Sequence, residues 1–108
     1  MNLQKLLSKP EGKTLEFKRD LSSLKPILKT LVAFANTAGG TIIIGRSDGG
    51  KIIGVGDILQ EEERLASAVA DSIRPLMMPE LEVCSYEGKP LLIATVPHWR
   101  GPFYLKAE

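Results

Sequence analysis

Apolar and polar positions along this chain recur with two different periods, and the changes between them divide it into elements. Leu3, Leu6 and Leu7 recur at helical spacing and stop before Pro10 and Gly12, which predicts a short helix capping the core. Over residues 14–19 the period drops to two: Leu15 and Phe17 share one face, Glu16 and Lys18 the other, as in a half-buried strand. Ser22 and Ser23 suit a helix start, and Pro26 falls in a first turn where its missing N–H is harmless. Ile27, Leu28, Leu31, Val32 and Ala35 then lie on one stripe of a central amphipathic helix. Asn36, Gly39 and Gly40 end it, because both residue types accept the left-handed conformation that terminates helices.

Residues 41–44 are a continuous apolar and β-branched run, long enough only for a strand and suited to burial on both faces, so they belong in the middle of a sheet. Ser47, Asp48, Gly49 and Gly50 read as a turn into a hairpin partner over residues 51–55. Asp57 suits the N-cap of a second long helix reaching about Ile73, with Gln60 at the capping-box position and Glu61, Glu62 and Glu63 near its positive end. Leu59, Leu65, Ala66, Val69 and Ile73 form its expected inward face. Pro75 and Pro79 break that helix. Residues 81–86 and 91–96 read as a second hairpin about Glu87 and Gly88, and residues 103–105 as a last short strand. The predicted fold is α/β (α+β): a two-layer sandwich in which a mixed β-sheet carries two main helices on one face.

Length keeps this to one domain, since 108 residues cover a single core and not two. Neither an internal repeat nor a low-complexity linker divides it. Fourteen basic residues against thirteen acidic ones leave a net charge of +1, so a polyanionic partner must be held by a local patch and not by an overall field. Cys84, the single cysteine, excludes an internal disulfide and a cysteine-rich zinc site, and its apolar, strand-like context reads as a structural thiol. The amino terminus lacks the pattern of a secretion signal, and no apolar run approaches the roughly 18 residues of a spanning helix. No membrane association is expected, and the cytoplasm is the expected location.

Three groups of residues could carry chemistry. Residues 45–51, GRSDGGK, match the glycine and lysine spacing of a phosphate-binding loop, yet Ile52 stands where a magnesium-binding Ser or Thr is required and the segment leads into an expected strand. A glycine-rich turn explains it. Glu11, Glu16 and Asp48 form an acidic set whose repulsion, if they converged, would call for magnesium or manganese able to activate water against a phosphodiester. Glu11 and Glu16 can meet only if the chain bends near Gly12, because residues five apart on a strand face opposite ways. The third group is basic and aromatic: Lys13, Lys18, Arg19, Arg46 and Lys51, with His98, Trp99, Arg100, Phe103, Tyr104 and Lys106. Such cations neutralise phosphates while rings stack on unpaired bases.

The segments LEFKRD at residues 15–20, AFANTAGGTIIIGRSDGGKIIGVG at 33–56 and PFYLK at 102–106 resemble the Schlafen AlbA-like domain family. That resemblance covers residues 11 to the end and implies an Alba-like fold, binding to DNA or RNA, and a place at the N-terminus of a longer transcriptional regulator. In the Schlafen branch it also implies a metal-dependent endoribonuclease built on three acidic residues, matched here by Glu11, Glu16 and Asp48. Arg46 stands where relatives commonly carry an apolar residue, and the chain stops before an arginine and glycine segment that usually follows. The leading expectation is a cytoplasmic nucleic-acid-binding module, without cofactor, whose phosphate contacts are Lys13, Lys18, Arg19, Arg46 and Lys51. Asn36, Gly39 and Gly40 serve the backbone, Arg46→Ala is expected to leave stability nearly unchanged, and a homodimer extends the basic groove. The alternatives are the endoribonuclease and a dimerisation or scaffold domain.

Overall fold

A computed structural model describes residues 2–99 and 101–106. The elements run α1 (Leu3–Leu7), β1 (Leu15–Lys18), α2 (Leu24–Asn36), β2 (Gly40–Ile44), α3 (Ile58–Ser72), β3 (Ile73–Arg74), β4 (Glu80–Tyr86), β5 (Lys89–Val96) and β6 (Tyr104–Leu105). Four strands form a mixed sheet in the order β1-β2-β5-β4, with β1 parallel to β2 and the other pairs antiparallel. A separate two-stranded ribbon joins β3 to β6.

The run at 41–44 lies, as expected, in the interior of the sheet, and Ile42, Ile43 and Ile44 are fully buried. Its alternation feeds two cores. Ile42, Ile44, Leu92 and Ala94 face α2 and α3, meeting Ile27, Leu31, Leu65 and Val69. Ile43, Leu91 and Ile93 face the other way, where α1 lays Leu7 over them beside Leu15. The two long helices do share one face, and α1 covers part of the other. Ser23 and Asp57 stand at the N-caps of α2 and α3, but neither side chain bonds the helix end, and Asp57 is itself left-handed at φ 50°.

Three expectations are corrected. Residues 51–55 are not a strand, because both sides of β2 are occupied by β1 and β5. The segment makes an isolated bridge from Ile52 to Arg46, gives two N–H groups, from Ile53 and Gly54, to the Gly45 carbonyl, and then passes Val55 N–H to the Pro90 carbonyl at 2.9 Å. Ile73 leaves the helix to pair with Leu105, and Lys106 N–H reaches the Ser72 carbonyl. Leu59 is 70% exposed, since the inward stripe of α3 runs through Leu65 and Val69.

Candidate nucleic-acid interface

The chain does bend at Gly12. Its N–H donates to the Leu15 carbonyl at 3.0 Å, folding residues 11 and 12 back alongside β1. Glu11 therefore lies beside the strand, and its Oε2 accepts the Phe17 N–H at 2.8 Å. Glu16 projects to the opposite face, as strand alternation requires. There its Oε2 accepts from Thr30 Oγ1 of α2 at 2.9 Å and lies 3.4 Å from Lys18 Nζ. Asp48 sits exposed in the 47–50 turn and shares a hollow of about 200 Å³ with Glu11, Phe17 and Arg46. Two of the three acids thus line one space and the third is on the far side of the sheet. Among the described residues no set of three His, Cys, Asp or Glu side chains converges as a metal site. In this arrangement the three carboxylates do not fit a shared magnesium or manganese centre.

The basic set divides in the same way. Arg46 is a structural residue here: its Nη1 donates to the Leu7 carbonyl at 2.8 Å and its guanidinium carbon lies 4.2 Å from the centre of the Phe17 ring. It ties the end of α1 to the sheet, so the expectation that its removal leaves stability unchanged is replaced by a measurable loss. Lys18 is held by Glu16. Arg19 is 66% exposed, with Asp20 at 3.9 Å. Lys13 and Lys51 are exposed and make no ion pair among the described residues. Beyond Arg19, Ser22 gives both its hydroxyl, at 2.7 Å, and its N–H, at 3.0 Å, to Asp20 Oδ1. These bonds hold the Asp20 carboxyl below its ordinary value by favouring the charged form, the Ser22 hydroxyl contributing most. A hollow of about 550 Å³ opens here between Arg19, Asp20, Gly54, Gly56, Glu61 and Arg64. Both of its arginines have a carboxylate beside them: Arg64 Nη1 is 2.8 Å from Glu61, and it also donates to the Leu21 carbonyl.

The late aromatic segment is mostly framework. Phe103 is buried, and Trp99 packs against it with ring centres 5.9 Å apart. Asn36 clamps this segment at two points, accepting the Phe103 N–H at 2.8 Å and donating to its carbonyl at 3.0 Å. The backbone role expected for Asn36 is therefore visible. Gly39, at φ 79°, is needed where helix α2 passes into β2, because a Cβ there would stand 2.7 Å from the Val96 carbonyl oxygen. Tyr104 is exposed, His98 lies at the surface, and Arg100 lies outside the described residues.

One basic surface escapes a reading of the sequence. Leu24, Lys25, Leu28 and Lys29 of α2, Ala68 and Ser72 of α3, and Leu105 and Lys106 line a groove of about 640 Å³. Three ammonium groups border an apolar floor, and among the described residues no carboxylate lines it. Lys25 and Lys29 are four apart, hence neighbours on one helix face, a signal present in the sequence. Lys106 joins them through the β3–β6 ribbon, whose pairing of Ile73 with Leu105 the sequence pattern does not announce.

This fold and these residues have relatives. The N-terminal domain of a RecG-related protein from Nitrosomonas europaea, named for ATP-dependent DNA helicases, is similar at a TM-score of 0.81 and 29% identity, over 97% of this chain and 78% of that one. The DIP2311 protein from Corynebacterium diphtheriae shares the fold at a TM-score of 0.71 and 17% identity, over 94% of this chain and 22% of that one. No match is found among curated proteins. The sequence matches the Schlafen AlbA_2 family over residues 11–106, a span that holds the bend at Gly12, the sheet, both long helices and the lysine groove, and the chain belongs to that family.

Proposed function

We propose that this domain binds nucleic acid through its phosphates, as a DNA- or RNA-binding module of a larger, regulator-type protein. The observation that carries the reading is the groove in which Lys25, Lys29 and Lys106 stand together with no carboxylate in the lining among the described residues. In a chain of net charge +1, such a cluster supplies the local positive potential that a polyanion needs. Family membership and the helicase-related name of the Nitrosomonas europaea relative support the same class of partner. Lys13, Arg19 and Lys51 are exposed and add contacts along the β1 side, while Arg46 acts indirectly, by holding α1 in place.

The test is a salt titration with mixed-sequence single-stranded and duplex oligonucleotides, read by fluorescence anisotropy. Affinity falls steeply with added salt. The triple change Lys25→Gln, Lys29→Gln and Lys106→Gln reduces the slope of log affinity against log salt by about 2 to 3, close to 0.7–0.9 per phosphate contact removed. A flat salt response, or no binding at low salt, sinks the proposal and leaves a scaffold domain. Cleavage stands behind binding, because Glu11 is already bonded to Phe17 and Glu16 is across the sheet. Manganese-dependent cleavage of structured RNA that disappears in Asp48→Ala would reverse that order.

A further inference from the structure

The sheet has two edges, and the chain finishes them differently. Along β1 two of the outward-facing backbone groups are taken by the preceding turn: Gly12 N–H bonds the Leu15 carbonyl, and the Phe17 N–H bonds the Glu11 carboxylate. An edge capped this way cannot template another strand. Along β4, seven residues long, no hydrogen bond among the described residues covers the outward groups.

Which groups those are follows from the hairpin. Glu87 and Gly88, at φ 52° and 75°, make the two-residue turn whose closing pair, Tyr86 and Lys89, is hydrogen-bonded. Alternation then directs the N–H and C=O of Glu80, Glu82, Cys84 and Tyr86 to β5, and those of Leu81, Val83 and Ser85 outward. Pro90 agrees with this register: it lies opposite Ser85, where no N–H is required, and its carbonyl is bonded by Val55 on the far side. The open edge also carries apolar surface. Val83 is 38% exposed, and Leu76 and Met78, just before β4, are 67% and 45% exposed. Neither a lysine nor a proline guards an outward position of the strand, the usual devices against edge pairing.

We propose that β4 pairs with β4 of a second copy of this chain, antiparallel about a two-fold axis through Val83. This centre gives the longest overlap and lets Val83 meet Val83 of the second copy, and Leu81 meet Ser85, in a ladder of about six backbone hydrogen bonds. It sets Glu82 opposite Cys84 and Glu80 opposite Tyr86. A centre at Glu82 would put that glutamate opposite itself, which repels, and a centre at Cys84 would run Leu81 into the turn at Glu87. The strand is therefore complementary to itself in one register. With the axis perpendicular to the sheet, the helices of both copies lie on the same face, and one sheet continues across the pair.

Sedimentation equilibrium of the whole chain, combined with residue-resolved amide exchange, tests this. Mass rises toward the dimer with concentration, and over the same range the amides of Leu81, Val83 and Ser85 gain protection. Val83→Pro removes an N–H that points away from β5, so it weakens association by about tenfold or more while the β4–β5 hairpin persists. Val83→Lys, which keeps the backbone intact, has the same direction of effect, and Glu82→Gln tightens the pair about two- to threefold by relieving the diagonal contact between the two glutamates. A chain that stays monomeric up to about 1 mM, a dimer in which those three amides exchange as fast as in the monomer, or a dimer unmoved by both Val83 variants overturns the proposal.

Discussion

On one face of the sheet, helices of 13 and 15 residues close over Ile42, Ile44, Leu92 and Ala94; on the other, a helix of 5 residues closes over Ile43, Leu91 and Ile93. Strand alternation supplies both faces with the same kind of apolar side chain, so the difference lies in what covers them. The long helices bring their own apolar stripes, which bury Ile27, Leu31, Leu65 and Val69, and their polar ties add to that burial. A five-residue helix is too short to hold itself, and here a side-chain hydrogen bond from Arg46 fastens its last carbonyl. The consequence for binding is direct: on the long-helix face the lysines of α2 remain available at the surface, whereas on the short-helix face the best-placed arginine is consumed by the fold.

Truncating one side chain on each face measures that difference most strongly. Leu31→Ala, at a fully buried position of α2, is expected to cost about 4 kcal/mol, because the cavity it leaves is walled by two helices and a sheet. Leu7→Ala, at the thin cover of the other face, costs about 2 kcal/mol or less, since the short helix can settle into the space. Urea unfolding of the two variants decides it. Equal losses would mean that α1 is as firmly packed as α2, and the contrast between the faces would disappear.

Arg46→Ala sharpens the same point at smaller amplitude. It leaves the Leu7 carbonyl without its donor and removes a cation from the face of Phe17, a loss of about 1–2 kcal/mol. The distinguishing readout is local: amides at the end of α1 exchange faster while those of α2 and α3 do not. Oligonucleotide affinity at fixed salt changes less than in the groove triple variant. If Arg46→Ala instead abolished binding with stability intact, the arginine would be a phosphate contact and the groove would lose its priority.

How much of this was legible beforehand depended on whether a residue's role was set by its own segment. Periodicity located α2, β2 and the β4–β5 hairpin because each buries enough of one face to dominate its local pattern. The turn at 47–50 misled over residues 51–55, which read as its hairpin partner but whose place beside β2 was already taken by β1 and β5. Ile73 continued the apolar pattern of α3 and gave no sign of switching to a two-residue strand. At the candidate site, the bend at Gly12 was anticipated as a condition for Glu11 and Glu16 to meet, and it occurs, but its product is a bond from Glu11 to the edge of β1. Arg46 looked like a surface cation because nothing in its own loop announces the Leu7 carbonyl 39 positions away. Lys106 stood in the basic and aromatic group, but Lys25 and Lys29 were passed over, and only the tertiary fold brings the three together.

The smallest effect concerns the connection leading into the long-helix face. Apolar burial has no direct pH dependence, so an acid response on that side must come from groups such as Asp20, whose carboxyl is held low by the Ser22 hydroxyl and N–H. A carboxylate with a depressed folded-state value contributes stability that is complete above its unfolded-state value, and loses it as the pH falls through the folded one. Ser22→Ala removes the larger of the two bonds. The Asp20 carboxyl should then titrate nearer to an ordinary aspartate in a carboxyl-detected NMR titration, and the share of stability lost across that acid range should shrink. Because the group is exposed, the change at neutral pH is a few tenths of a kcal/mol at most, roughly the scale of surface interactions. An Asp20 titration unmoved by Ser22→Ala would show that the hydroxyl does not hold the carboxylate in solution and would place the acid response of this face elsewhere.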